Sequence, residues 1–276
     1  MDIQTLRSSY DYAGRTAVVT GGAGVLCSAL CRILAEAGAR LAVLDLNAAA
    51  AESLAAEIRA AGGEARSFAC NVLDRPSVET AAQQVLAAFG RVDILINGAG
   101  GNKPQATTNA DTSFFDLPAD ALRWVLDLNL MGVVLPSQVF GKIMAGQKSG
   151  VVLNFSSMNS YRPLTRIPAY SAAKSAVSNF TQWLAVHMAK EYSPEIRVNA
   201  IAPGFLVGEQ NRRLLLNEDG SLTARGQAII DHTPMGRFGV PEDLFGTVLW
   251  LLSPAATFVT GVVVPIDGGF AAYGGV

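Results

Sequence analysis

Histidine and cysteine are scarce in this chain of 276 residues, and the scarcity excludes several chemistries. The two histidines, His187 and His232, stand far apart, leaving no material for a His-based triad or a His-rich metal centre. Three cysteines, an odd number with no C-x-x-C, argue against both a disulfide framework and a zinc site. Cys27 and Cys31 share a helix face and read as reduced thiols acting as small hydrophobes, so no metal is expected. No basic patch with interleaved aromatics occurs, and a formal net charge of -2 gives no reason to expect nucleic acid. No apolar run approaches the roughly 20 residues of a membrane span. The opening MDIQTLRSSYDYAGR also lacks the basic and then apolar order of a signal peptide. The expectation is a soluble, cytoplasmic protein with no membrane partner. No Pro/Gly/Ser-rich linker, charge block or solenoid repeat divides the chain, so residues 1–276 are expected to form one domain.

What is present is an alternation. From residue 16 onward, segments rich in Val, Ile and Leu alternate with Ala- and Leu-rich helical patterns. That predicts stacked βαβ units and an α/β, doubly wound parallel sheet buried on both faces. The first strand, 16–20, runs into Gly21-Gly22-Ala23-Gly24-Val25-Leu26-Cys27 and a helix to about residue 37. A Gly-rich turn between strand and helix lets backbone approach a pyrophosphate, which then rests on the helix N-terminus. The second strand, 40–44, ends on Asp45, about twenty residues past the glycines. There a carboxylate would accept from adenosine ribose hydroxyls and repel a 2′-phosphate, favouring NAD over NADP; a simple turn-forming role is the other reading. A helix over 48–61, a strand over 65–69 and a helix over 75–89 follow. Asn71 and Val72 fall at the carboxyl end of that strand, beside the expected adenine. The strand 92–96 exits through Asn97-Gly98-Ala99-Gly100-Gly101, and the polar loop after it, with Asn102 and Lys103, reads as the mouth of a site.

A helix carrying Trp124, Asp127 and Asn129 is expected to continue past Gly132 to about residue 145. Asn129 lies in an apolar stretch and needs partners, in the site or on its own helix. The strand 151–155 delivers Ser156 and Ser157, and a helix over 168–191 carries Tyr170 and Lys174. Four residues apart, the phenol and the ammonium share one helix face, and Ser157 precedes the tyrosine by thirteen. A cation held near a phenol favours phenolate and suits it to exchange a proton with a carbonyl or alcohol oxygen, although Y-x-x-x-K can also be an ordinary solvated pair. The strand 196–201 exits through Pro203-Gly204. Residues 205–240, with short helices at 209–216 and 223–231, are too long for a plain connection and read as a substrate lid or as a surface contact. Pro241-Glu242-Asp243 opens the last helix, and 262–265 closes the sheet.

In T-G-G near residue 20, N-G-A-G at 97–100, Asn129, Ser157, Tyr170-x-x-x-Lys174 and P-G at 203–204, the chain resembles the short-chain dehydrogenase/reductases over nearly its whole length. The resemblance implies a Rossmann-type sheet of about seven strands, an NAD(H) cofactor and a homotetramer or homodimer. It makes Tyr170 the general acid/base, Lys174 the group that lowers its pKa and holds the nicotinamide ribose, Ser157 a partner of the substrate oxygen, and Asn129 the holder of a water beside Lys174. Gly21, Gly24, Val25, Leu26, Asp45, Asn71, Val72, Asn97, Ala99, Gly100, Pro203, Gly204 and Leu206 would hold the cofactor. The stretches AGGNKPQATT, SSMNSYRPLTRIPAYSAAK and APGFLVGEQNRRLLLNEDG resemble the branch that interconverts D-fructuronate and D-mannonate. A sugar acid needs polar and cationic partners, for which Asn102, Lys103, Met158, Asn159, Arg162, Arg166, Gln210 and Arg212 are the candidates. Another polyol, a ketogluconate or a 3-oxoacyl substrate is the alternative, and a catalytically idle dinucleotide-binding regulator the alternative of another class. Cys27 replaces the usual third glycine and Val25 the middle one. Asn71 stands for a common carboxylate, Gly98 for a frequent alanine and Gly208 for a threonine.

Overall fold

A computed structural model describes the chain from residue 2 to residue 275, except for the side chains at 209–211. Seven strands make one parallel sheet in the order β3-β2-β1-β4-β5-β6-β7. They are β1 (Thr16–Thr20), β2 (Arg40–Asp45), β3 (Glu64–Ala69), β4 (Ile94–Asn97), β5 (Gly150–Phe155), β6 (Ile196–Pro203) and β7 (Val263–Ile266). Continuous apolar runs rather than alternating ones mark β1 and β4, and every residue of both is buried, as a sheet covered on both faces requires. One cover is α2 (Val25–Glu36), α3 (Ala48–Ala60) and α10 (Phe245–Leu252), whose Leu30, Leu54 and Leu251 join one core cluster. The other is α4 (Arg75–Phe89), α6 (Gly132–Gln147) and α7 (Pro168–Glu191), whose Val85, Phe140 and Leu184 join a second. Strand order reverses between β1 and β4, so the connections from their carboxyl ends diverge and leave a crevice there.

Four features depart from the sequence reading. A short helix, α1 (Ile3–Ser8), capped by the Asp2 carboxylate on Thr5 N–H, buries no residue and so left no periodic signal. The helix expected through Asn129 is α5 (Ala119–Leu126), then a π turn over Asp127–Met131, then α6. Pro241–Leu244 forms a 3₁₀ turn, and the α-helix proper starts at Phe245. The helical stretch Ala119–Gln147 is also long enough to cross a membrane and contains an 18-residue window with a mean hydropathy of 1.3. In the fold 44% of that window is buried, and the stretch packs on α4, β4, β5 and α7.

The insertion after β6 holds two short helices, α8 (Glu209–Leu215) and α9 (Ala224–Asp231), joined by a turn whose arms meet at Leu216 and Leu222. Its apolar side, Leu215 and Ile229, packs with Met158 and Phe270 in a satellite cluster above the carboxyl ends of the strands.

Candidate active site

The glycine turn after β1 is built by contact with the exit of β4. Gly21 has φ +61, and a Cβ there would lie 2.8 Å from Ala99 Cα, so only glycine satisfies both backbone and space. The Thr20 hydroxyl accepts from Gly98 N–H at 3.2 Å, binding the two exits together. Gly24 caps α2 without a side-chain bond, leaving the first N–H groups of the helix, and its positive end, facing the crevice. Asp45 closes the turn: its Oδ2 accepts from Ala23 N–H at 3.1 Å and its Oδ1 from Asn47 N–H at 2.9 Å.

A cleft of about 670 Å³ runs along this seam. Asp45, Asn71 and Val72 line one end, Gly21, Gly24, Val25, Leu26, Ala99 and Gly100 the middle, and Ser157, Tyr170, Lys174, Pro203, Gly204 and Leu206 the other. Asn97 is a correction. It is fully buried and donates through Nδ2 to Ser137 Oγ at 3.0 Å and to Asn154 Oδ1 at 2.8 Å, pairing β4 with β5 inside the sheet. Side chains alternate along a strand, and position 97 falls on the inward side. The sequence reading also passed over Leu46 and Ala50, which line the cleft beside Asp45. Leu46 is 76% exposed, and an apolar residue directly after a strand-end Asp was the available signal.

Three side chains from two elements meet at the far end. Ser157 leaves β5, and Tyr170 and Lys174 stand one turn apart at the start of α7, with Lys174 Nζ 5.6 Å from the Tyr170 ring centre. Lys174 is buried and donates to the Phe155 carbonyl at 2.7 Å. Desolvation pulls its ammonium down to about 8. The Tyr170 phenol moves the opposite way from expectation: burial raises it above the ordinary phenol value, and the hydrogen bond from Ser157 is what opposes that rise. The Lys174 ammonium points its hydrogen bond at the Phe155 carbonyl and not at the phenol.

Asn129 sits in the π turn, a geometry that often marks functional segments. Its Nδ2 donates to Gly101 O at 2.6 Å and Val125 O at 2.8 Å, and its Oδ1 accepts from Gly101 N–H at 3.2 Å. Both readings of this residue therefore meet, since it satisfies its own helix and pins the loop leaving β4. Gly100 lies between it and the lysine: a Cβ there would be 2.8 Å from Asn129 Oδ1 and 3.4 Å from Lys174 Nζ.

The substrate candidates scatter. Asn102 bonds Thr107, and the Lys103 ammonium lies 4.1 Å over the Trp124 ring. Met158 and Asn159 are buried, Met158 under the insertion after β6, and neither lines the cleft. Arg166 and Arg212 are exposed, and the side chain of Gln210 lies outside the described part of the structure. Arg162 alone is anchored at the guanidinium, through Nε to Ala271 O at 2.8 Å.

Comparison with known proteins places this architecture. Residues 23–271 match a family described as enoyl-(acyl carrier protein) reductase, a short-chain dehydrogenase group. The chain is 51% identical over 273 residues to UxuB of Bacillus subtilis, an oxidoreductase of uncharacterised role, covering 96% of this chain and 97% of that one. It is 34% identical to D-threitol dehydrogenase of Mycolicibacterium smegmatis, covering 97% of each. A crystal structure from Haemophilus influenzae, provisionally assigned as a D-mannonate oxidoreductase and containing NAD, superposes with a TM-score of 0.92 at 47% identity, covering 98% of this chain and 100% of that one. This chain belongs to the short-chain dehydrogenase/reductase family and is an oxidoreductase of that class. Its cleft fits a nicotinamide dinucleotide on its own terms. The left-handed Gly21 leaves the backbone bare, the start of α2 offers N–H groups with no side-chain cap among the described residues, and a carboxylate and an amide stand at the opposite end from the tyrosine.

Proposed function

We propose that the protein is an NAD(H)-dependent oxidoreductase acting on a secondary alcohol or ketone of a sugar acid, with D-fructuronate and D-mannonate as the pair. The observation that carries the chemistry is the meeting of Ser157, Tyr170 and Lys174 at one end of a cleft whose other end is closed by Asp45. NAD(H) bound along the cleft supplies or accepts the hydride. The chain's part is the proton. Tyr170 Oη, a phenol that is protonated at neutral pH in any case and that burial pushes further up, gives its proton to the ketone oxygen, or takes it from the alcohol in the reverse direction. Ser157 holds the phenol and the reacting oxygen together. Lys174, near its midpoint at pH 8, can accept and pass a proton from its buried place beneath Gly100. Asn129 keeps that loop at the distance the relay needs. Gly21, Gly24, Val25 and Leu26 would take the pyrophosphate, Asp45 the adenosine ribose, Asn71 and Val72 the base, and Pro203, Gly204 and Leu206 the nicotinamide side.

The acid end of the substrate calls for a cation. Arg162 is the candidate for that role, its guanidinium held through Nε with no carboxylate paired to it among the described residues, although it lies outside the lining of the open cleft. Residues 205–240 act as the covering lid within a single domain. Exposed Trp183 and Val186 on α7, with Tyr192 directly after it, suit self-association into a homodimer or homotetramer, and three free buried thiols suit the reducing cytoplasm. The test of the chemistry is Tyr170→Phe: turnover is lost while NADH titrates as in the parent protein, and retained turnover would remove Tyr170 from the mechanism.

A further inference from the structure

The base end of the cleft is chemically unusual in what it offers. Asn71 Oδ1 accepts from Leu73 N–H at 3.0 Å, closing a turn before α4. That bond fixes the amide, because a flipped Asn71 would point its NH₂ group at the Leu73 N–H. The atom left to face outward is therefore Nδ2, a donor with no protein acceptor among the described residues, on an exposed residue that lines the cleft. The neighbouring Val72 N–H likewise donates to no protein group among the described residues. A carboxylate at position 71 would keep the Leu73 bond with one oxygen and present an acceptor with the other.

We infer that Asn71 presents the dinucleotide's base with a donor in place of an acceptor, and so relaxes the choice between adenine and a 6-oxopurine. The inference rests on the reading that this cleft holds a nicotinamide dinucleotide. Adenine carries an amino donor at position 6 beside a ring-nitrogen acceptor, whereas a 6-oxopurine carries an acceptor at position 6. Two donors side by side, Asn71 Nδ2 and Val72 N–H, match adenine at one atom and oppose it at the other. A 6-oxopurine, whose ring nitrogen beside the oxygen carries a proton, gains the Asn71 bond that adenine loses and loses the Val72 bond that adenine makes, so each base is matched at one atom and opposed at the other. An acceptor at 71 with a donor at 72 would match adenine at both atoms and oppose the oxo base, and buried or half-buried mismatches of this kind are what give polar sites their selectivity.

The experiment is calorimetric titration of the full-length protein with NADH and with reduced nicotinamide hypoxanthine dinucleotide, for the parent and for Asn71→Asp. Asp keeps the Leu73 bond, so the turn and the fold are retained. The parent is expected to bind the two within about threefold of each other, and Asn71→Asp to shift the ratio toward adenine by about tenfold or more. A parent that already prefers NADH by about tenfold, or a ratio that Asn71→Asp moves by less than about twofold, overturns the inference while leaving the dinucleotide site intact. Binding of neither compound overturns the dinucleotide reading and this inference with it.

Discussion

A Cβ placed on Gly98 would lie 2.1 Å from the Cys27 sulfur. Two departures that look independent in the sequence are thus one exchange of volume: the first turn of α2 carries a sulfur where glycine is usual, and the facing strand exit gives up the methyl group that is usual there. Cys27 is buried, and burial lifts its thiol to about 12, so it serves as packing and not as a nucleophile.

Gly98→Ala alone is expected to destabilise the fold by about 1–3 kcal/mol, the ordinary cost of overpacking. Cys27→Ala removes the sulfur, and the double variant is expected to recover most of that loss, the residue being a 3.0 Å approach to the Thr20 carbonyl. Urea unfolding of the four proteins in the cycle gives the coupling; a value under about 0.5 kcal/mol would contradict the exchange.

Lys174→Met should trade activity for stability. Burial lowers the ammonium from 10.5 to about 8. Below pH 8 both the folded and unfolded chains hold the proton, and the folded one bears the full desolvation cost of about 3 kcal/mol. Between pH 8 and 10.5 the folded lysine sheds its proton while the unfolded one keeps it, so stability rises with pH and the cost fades. Losing the bond to Phe155 O offsets about 1 kcal/mol. The variant should therefore unfold at higher temperature than the parent at pH 7, with the gap closing toward pH 10.5. A parent protein more stable than the variant at pH 7 would show that the lysine is not held at a cost.

Asp45→Ala is expected to move the ratio of NADPH to NADH affinity upward by about tenfold or more, because it removes a carboxylate that would stand against a 2′-phosphate. Since Asp45 also accepts from Ala23 N–H, NADH itself should bind more weakly. Parallel titrations decide this, and an unmoved ratio removes Asp45 from discrimination.

Asn129→Ala strips the amide from Gly101 and Val125 and leaves their carbonyls without that donor, which should cost about 1–3 kcal/mol. If the amide also keeps the β4 exit in register with Lys174, turnover should fall well beyond the loss of folded protein. An equal fall in both would reduce Asn129 to a structural role.

The sheet and its order of elements were legible because continuous apolar strands alternate with helical periodicity, and strands β1, β3 and β6 stand within a few residues of expectation. Elements with no buried face were not: α1 touches nothing that patterns a sequence. Nor was the π turn, since an extra residue per turn changes no composition. At the site, the residues on backbone exits, Gly21, Gly24, Ala99 and Pro203, were legible from their places at strand ends together with the family resemblance, and all four line the cleft. Side-chain direction was not, which is why Asn97 was expected in the cleft and is found inside the sheet. Pairings across distant segments were equally silent: Val25, which replaces a glycine, lies where a Cβ on Gly208, which replaces a threonine, would come within 3.2 Å of its Cγ1. The protonation states were the least legible, because spacing brought Lys174 near Tyr170 but only the fold shows the ammonium turned to the Phe155 carbonyl.

The most direct test of the whole account is the loss of NADH absorbance when the purified protein is offered D-fructuronate, D-tagaturonate, 5-ketogluconate and an acetoacetyl thioester in parallel. The account predicts oxidation of NADH with D-fructuronate at a rate well above the rest. A faster rate with the thioester, or none with any sugar acid while NADH still binds, would contradict it.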